Sequence, residues 1–225
     1  MQGLVDIGAG TGELLEGLAP HFGRAMLVEP DSNMVDEAKG RLADIEAPIQ
    51  FCRSRAEDLD IPSGEFDVAT FGNSFHWLDQ AVVLALLKGS LISPSVVVVV
   101  NSTSPFRSTS AWQREVISII ERVVGQRRRA GPSGYFPDQP LTQEEALQRG
   151  GFIEAGEIIW KHEQLWDAER YIGFLRSTSF ASDIVLGPQR SMVHEAVREL
   201  FAAFPGGQLI DQMEFHARVA VSQLD

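Results

Sequence analysis

The residues best placed to do chemistry lie within the first third of the chain. Val5-Asp6-Ile7-Gly8-Ala9-Gly10-Thr11-Gly12 runs from an apolar stretch straight into a glycine-rich turn. Glycines reach φ > 0 without strain and let a ligand approach the backbone where no Cβ stands in the way. The spacing is G-x-G-x-G, whereas a dinucleotide fingerprint has G-x-G-x-x-G. Asp6, two positions ahead of Gly8, would serve a pyrophosphate poorly and an amino-acid ammonium well. Glu29, followed by Pro30, is a second carboxylate, placed to accept hydrogen bonds from both hydroxyls of a ribose. A third group is Arg55-Ala56-Glu57-Asp58-Leu59, where a purine ring would lie, and a fourth is Asn73-Ser74-Phe75-His76-Trp77. His76 is the candidate for removing a proton from an acceptor or orienting it. Local packing is its bland alternative.

These groups share one setting. Short apolar runs alternate with helical patterns over the first hundred residues, the signature of a parallel α/β sheet. The patterns predict strands at 3–7, 25–29, 48–53, 66–71 and 95–101, and helices at 11–22, 32–44 and 79–91, with Asp79 as an N-cap. The run Val96 to Val100 reads as a strand covered on both faces. All four groups then fall at the carboxyl ends of strands, where open α/β sheets bind ligands.

Past Asn101 the alternation breaks. Ser110 with Gln113 reads as a capping box ahead of Trp112, Val116, Ile119, Ile120, Val123 and Val124 at helical spacing. That helix ends in Arg127-Arg128-Arg129, and a Gly/Pro-rich loop runs from Gly131 to Pro140. The pattern continues with a helix from Thr142 to Gly150, a strand over 152–163, helices at 167–177 and 189–204, and a closing strand with period two around Met213 to Val221. The expectation is a Rossmann-like, doubly wound α/β fold. Its mostly parallel sheet ends in an antiparallel hairpin, near 152–163 and 207–221. Residues 1–225 form one domain, with helical cap insertions at 104–140 and 165–205.

Composition narrows the function classes. The 225 residues carry a formal net charge of −12, which disfavours general nucleic-acid binding. Segment 104–138 reverses the trend, with six basic and three acidic side chains. Its arginine triplet either attracts an anionic substrate or complements the negative end of a helix. One cysteine, Cys52, excludes an internal disulfide and fits a reducing, cytoplasmic setting. No apolar stretch reaches the roughly 20 residues that span a bilayer, and no secretory signal precedes the first strand. His21, His162, His194 and His216 show no metal-ligand spacing.

The ordered set VDIGAGTG, VEPDSNM, RAEDL and FDVATFGNSFHW resembles the class I methyltransferases over residues 3–101. More narrowly it resembles the branch that includes trans-aconitate methyltransferases and related small-molecule enzymes. GYFPD, QEEALQRGGF and FLRSTSF resemble that branch more loosely. The resemblance implies S-adenosylmethionine as cofactor, with Asp6, Gly8, Ala9, Gly10 and Gly12 around its methionine portion. It implies Glu29 and Pro30 at the ribose, Met34 packed on adenine, Ala56 and Glu57 at the adenine edge, and Asn73 and Ser74 completing the site. His76 and Trp77 would then face the acceptor, and methyl transfer to an ionised carboxylate would need no base. Three departures stand out. Arg55 replaces a small or acidic residue, leaving Glu57 or Asp58 to supply the adenine contact. Pro94-Ser95-Val96 replaces Pro-Gly-Gly before the fifth strand. Met1 stands almost inside the first strand, where relatives carry a leading helical segment, so either the sequence is a shortened form or its cofactor site is more open.

The resulting expectation is methyl transfer from S-adenosylmethionine to a small molecule, leaning to a carboxylate or other anion. No nucleic-acid, membrane or metal partner is expected, and the oligomeric state is open. Two rivals share the fold: a non-methylating protein that binds S-adenosylmethionine, and an NAD-dependent oxidoreductase, which the glycine spacing and Asp6 disfavour.

Overall fold

A computed structural model describes residues 2–103, 108, 110–126 and 141–223. Seven strands form one sheet: β1 (Gly3–Ile7), β2 (Arg24–Val28), β3 (Ile49–Cys52), β4 (Val68–Gly72), β5 (Val96–Ser102), β6 (Phe152–Asp167) and β7 (Gln208–Ser222). Their order is β3-β2-β1-β4-β5-β7-β6. The pairings from β3 to β5 are parallel. β7 runs the other way: its Ser222 N–H reaches Ser95 O, and its Glu214 O accepts from Thr103 N–H at the far end of β5. The expected doubly wound sheet with a final antiparallel strand is therefore the observed one.

The chain divides into two compact units. One comprises 1–101, 139–159 and 216–225; the other comprises 102–138 and 160–215, so β6 and β7 pass through both. In the first unit, α1 (Glu13–Leu18), α2 (Ser32–Arg41), α3 (Gln80–Ser90) and α5 (Gln143–Arg149) join the strands. All five residues of β1 are buried, so this strand is the centre of the core. The first helix is shorter than the expected 11–22. Gly12 caps it in the left-handed conformation, and Pro20 converts its end into a 3-10 turn over Ala19–His21. In β5 the burial alternates, with Val97 and Val99 fully buried and their neighbours half-buried, rather than both faces being covered.

The second unit is helical: α4 (Ala111–Val124), α6 (Ala168–Ser177), α7 (Asp183–Leu186) and α8 (Arg190–Ala202). Trp112, Tyr171 and Phe201 meet edge-on or tilted, with ring centroids 5.1–5.7 Å apart, in its own core. The expected Ser110–Gln113 capping box does not form. Gln113 is buried and its side-chain oxygen accepts from the Ser108 hydroxyl, while Ser110 N–H donates to that same hydroxyl, so Ser108 takes the place of the reciprocal box. A capping box does form one helix later, between Thr142 and Glu145. The Arg127-Arg128-Arg129 triplet and the Gly131–Pro140 loop, with GYFPD, lie outside the described residues. Among those described, no helix is long and apolar enough to cross a membrane.

Candidate functional site

Parallel pairing brings the ends of β1, β2, β3 and β4 side by side, and every candidate residue belongs to the first unit. The glycine loop is pinned to β2, because Gly8 N–H and Ala9 N–H both donate to Val28 O, at 2.9 and 3.1 Å. Gly8, Gly10 and Gly12 all have positive φ. Their surroundings differ. A Cβ on Gly8 would stand 2.6 Å from Ser74 Cβ, so this glycine is needed for packing against the loop after β4. A Cβ on Gly10 would meet nothing within 4 Å. The backbone at Gly10 therefore faces open space.

Glu29 ties two loops together. Its carboxylate is buried and accepts from Gly10 N–H at 3.1 Å and from Asp31 N–H at 3.0 Å. Each oxygen keeps further acceptor capacity for a hydroxyl. Pro30 is exposed beside it. Asp31 caps α2 by accepting from Asn33 and Met34 N–H, which places Met34 on the first turn with 37% of its surface exposed.

Asp6 is fully buried at the end of β1. Thr70, its register partner on β4, donates from its hydroxyl to Asp6 Oδ1 at 2.7 Å. Asp6 Oδ2 is also buried and has no hydrogen-bond partner among the described residues. Burial pushes the carboxyl up to about 7 against the Thr70 bond, with Glu13 adding to the rise. An unpartnered buried acceptor at this place fits an ammonium, whose positive charge would restore the ionised form.

This gives a pH prediction. The folded-state pKa lies above the unfolded one, so Asp6 contributes stability fully at low pH, and that contribution fades as pH rises from about 4 to about 7. The loss amounts to as much as about 4 kcal/mol, at 1.36 kcal/mol per unit. Asp6→Asn should remove this slope. Urea midpoints across that range would measure it, and parallel pH profiles for the two proteins would show that Asp6 does not titrate there.

The third group forms a 3-10 turn, Ala56–Asp58, after β3. Ala56 is buried. The Glu57 carboxylate accepts from Asp79 N–H at 2.9 Å and lies 3.5 Å from Arg55 Nε. Burial raises its pKa, but these donors outweigh burial and hold it below the usual carboxylate range. Glu57 thus fastens the entry of α3, and a bound ring edge would have to share it. The fourth group forms the turn Phe75–Trp77 after β4. Asn73 takes positive φ and is exposed, a conformation that asparagine tolerates better than most residues. Ser74 donates to Ile7 O at 2.6 Å and so supports the glycine loop from beneath. Phe75 is fully buried on Phe71 and anchors the turn, leaving His76 and Trp77 half-buried with ring centroids 5.0 Å apart.

Two contributors were not visible in the sequence. Thr70 is an ordinary strand residue until the β1–β4 register sets it beside Asp6. Arg41, on α2, donates to Thr11 O and pairs with Glu13 and Glu16, closing the far side of the glycine loop. Among the described residues no cluster of three or more His, Cys, Asp or Glu is placed to hold a metal.

A methyltransferase domain family model matches residues 4–90, the segment containing all four groups. A methyltransferase-like protein of Dictyostelium discoideum is 31% identical over 78 residues, which are 35% of this chain and 28% of that one. The chain thus matches little more than a quarter of the length of that curated relative. The fold of the YcgJ protein from Bacillus subtilis superposes with a TM-score of 0.61 at 14% identity, over 100% of this chain and 93% of that one. A type II methyltransferase structure from Anaeromyxobacter dehalogenans gives 0.62 at 19% identity, over 99% and 89%. The Streptomyces coelicolor geranyl diphosphate C-methyltransferase, complexed with S-adenosyl-L-homocysteine, gives 0.54 at 12%, over 99% and 70%. Asp6 Oδ2, the open backbone at Gly10 and the carboxylate of Glu29 are the candidate ligand contacts of this site. Over residues 4–90, the segment that carries the glycine loop and its acidic partners, the chain is similar to a methyltransferase domain.

Proposed function

We propose that the chain transfers a methyl group from S-adenosylmethionine to a small-molecule acceptor, a carboxylate or a related anion. The observation that carries this reading is an unpartnered buried acceptor, Asp6 Oδ2, on the strand that leads into a glycine loop where a side chain at Gly10 would meet no protein atom. In this reading Asp6, Gly8, Ala9, Gly10 and Gly12 hold the methionine portion. Glu29 and Pro30 hold the ribose, Met34 and Ala56 flank the adenine, and Glu57, Asn73 and Ser74 fix the loops around it. The cofactor supplies an electrophilic methyl on sulfur. The protein's part is to hold donor and nucleophile in line and keep water out, which converts a bimolecular encounter into a positioned one.

His76 and Trp77 are assigned to the acceptor side. An ionised carboxylate is already a nucleophile, so His76 would then orient and shield rather than deprotonate. The lean towards an anion rests on the likeness of GYFPD and FLRSTSF to the trans-aconitate methyltransferase branch and on the net positive charge of segment 104–138. One structural neighbour, a geranyl diphosphate C-methyltransferase, was crystallised with geranyl diphosphate, an anionic small molecule, which supports this lean. The test is release of S-adenosylhomocysteine on incubation with S-adenosylmethionine and a panel of small carboxylic and phosphorylated acceptors. Turnover with an anionic member is expected. Tight cofactor binding with no turnover on any acceptor class would favour a non-methylating role.

A further inference from the structure

β6 ends the sheet, is sixteen residues long and is exposed over most of its length. Ile153, Ile158, Ile159, Trp160 and Leu165 on this strand are each at least 41% exposed. The unpaired N–H and C=O groups of an edge strand are a template for another strand. Proteins blunt such an edge by keeping it short, by proline or by charged side chains such as lysine. β6 is neither short nor broken by proline, and the charges at its centre, Glu157 and Lys161, are opposite in sign.

Its centre, Glu157-Ile158-Ile159-Trp160-Lys161, is complementary to itself when read in the opposite direction. Contacts with β7 fix which side chains share a face. Lys161 Nζ lies 3.3 Å from Glu214, Trp160 stacks on Phe215 at 5.2 Å, and Glu157 lies 3.6 Å from Arg218, all in one antiparallel register. Glu157, Ile159 and Lys161 therefore project from one face, and Ile158 and Trp160 from the other.

We propose that β6 is a dimerisation edge, and that its occupant is β6 of a second copy of this chain, paired antiparallel about a two-fold axis through Ile159. In that register Glu157 faces Lys161 of the second copy and Lys161 faces its Glu157. Ile158 faces Trp160, and Ile159 meets its own equivalent. Each charge also has a partner within its own chain, so alternating charges would run across the joined sheet from Glu214 through Lys161 and Glu157 to Arg218. A shift of two residues in one direction sets Glu157 against Glu163, and in the other sets Glu157 against Ile159. Cross-strand pairs of opposite charge and of apolar side chains stabilise a sheet, and like charges directly opposite destabilise it. The apolar centre with one acid and one base at its ends selects a second copy over an unrelated strand, because the chain itself carries the complement.

Sedimentation velocity of the full chain over a range of concentrations tests this. The wild type should dimerise reversibly. Glu157→Lys and Lys161→Glu each set like charges opposite one another twice per dimer and should be monomeric, with far-ultraviolet circular dichroism unchanged. Mixing the two single variants should restore a dimer, since every cross-strand charge pair is then attractive, and E157K/K161E in one chain should homodimerise. Repair within a chain cannot produce rescue on mixing. A wild type that stays monomeric, a dimer indifferent to both reversals, or a mixture that remains monomeric would each overturn the assignment.

Discussion

Gly10→Val is expected to abolish measurable binding of S-adenosylhomocysteine while leaving a folded protein. The space around Gly10 accepts a side chain without a clash, since no protein atom lies within 4 Å of the Cβ position. What the valine does meet is a left-handed backbone, at φ 58°, costing roughly 1–2 kcal/mol for a residue with a branched Cβ. It also fills the volume assigned to the ligand. A loss of more than about 100-fold in affinity, some 2.7 kcal/mol, is the expected calorimetric result. Glu29→Ala should weaken the same ligand by about 1.5–3 kcal/mol through lost charge-assisted hydrogen bonds. Part of that loss comes from the Gly10 and Asp31 N–H groups, which lose their acceptor as well. Gly8→Ala separates packing from binding, because its methyl would press on Ser74 and lower stability first. Normal affinity in a folded Gly10→Val variant would mean that the ligand does not cross this loop.

The contrast between Gly8 and Gly10 shows where sequence reading stops. Both glycines belong to one motif, and spacing alone places both beside a ligand. Only the sheet register brings Ser74 under Gly8 and leaves Gly10 open. The strands and their mostly parallel arrangement were legible because buried β-branched runs and the strand–turn–helix rhythm are local signals. Thr70 was not, because its partnership with Asp6 joins residues 64 apart in the chain. Gln113 misled for a related reason. Its spacing from Ser110 matches a capping box, but Ser108, two residues ahead of Ser110, binds both the Gln113 oxygen and Ser110 N–H. Glu57 stands out in the sequence as an acidic residue after the third strand, whereas its bond to Asp79 N–H depends on two loops that only the fold juxtaposes.

The size and pH dependence of the His76→Ala defect should identify the acceptor chemistry. His76 sits on a turn held rigid by Phe75, at the carboxyl end of β4, half-buried against Trp77. A positioned imidazole that removes a proton is worth about 10²–10⁴-fold in rate. If the acceptor must lose a proton, His76→Ala should lower kcat by that factor, and the pH–rate profile should lose its acidic limb. For an ionised carboxylate the nucleophile is formed without help. The defect should then be smaller and nearly independent of pH above the acceptor's own pKa, and Trp77→Ala should give a defect of similar kind by admitting water. Cofactor affinity should change little in either variant, since the proposed cofactor contacts are Asp6, Gly10 and Glu29. The anionic reading thus commits to the flat profile. A steep acidic limb in the wild type that vanishes in His76→Ala would instead assign His76 as a base and an alcohol, amine or carbon acid as the acceptor. Wild-type turnover in both His76→Ala and Trp77→Ala would remove the turn at Phe75–Trp77 from the reaction altogether.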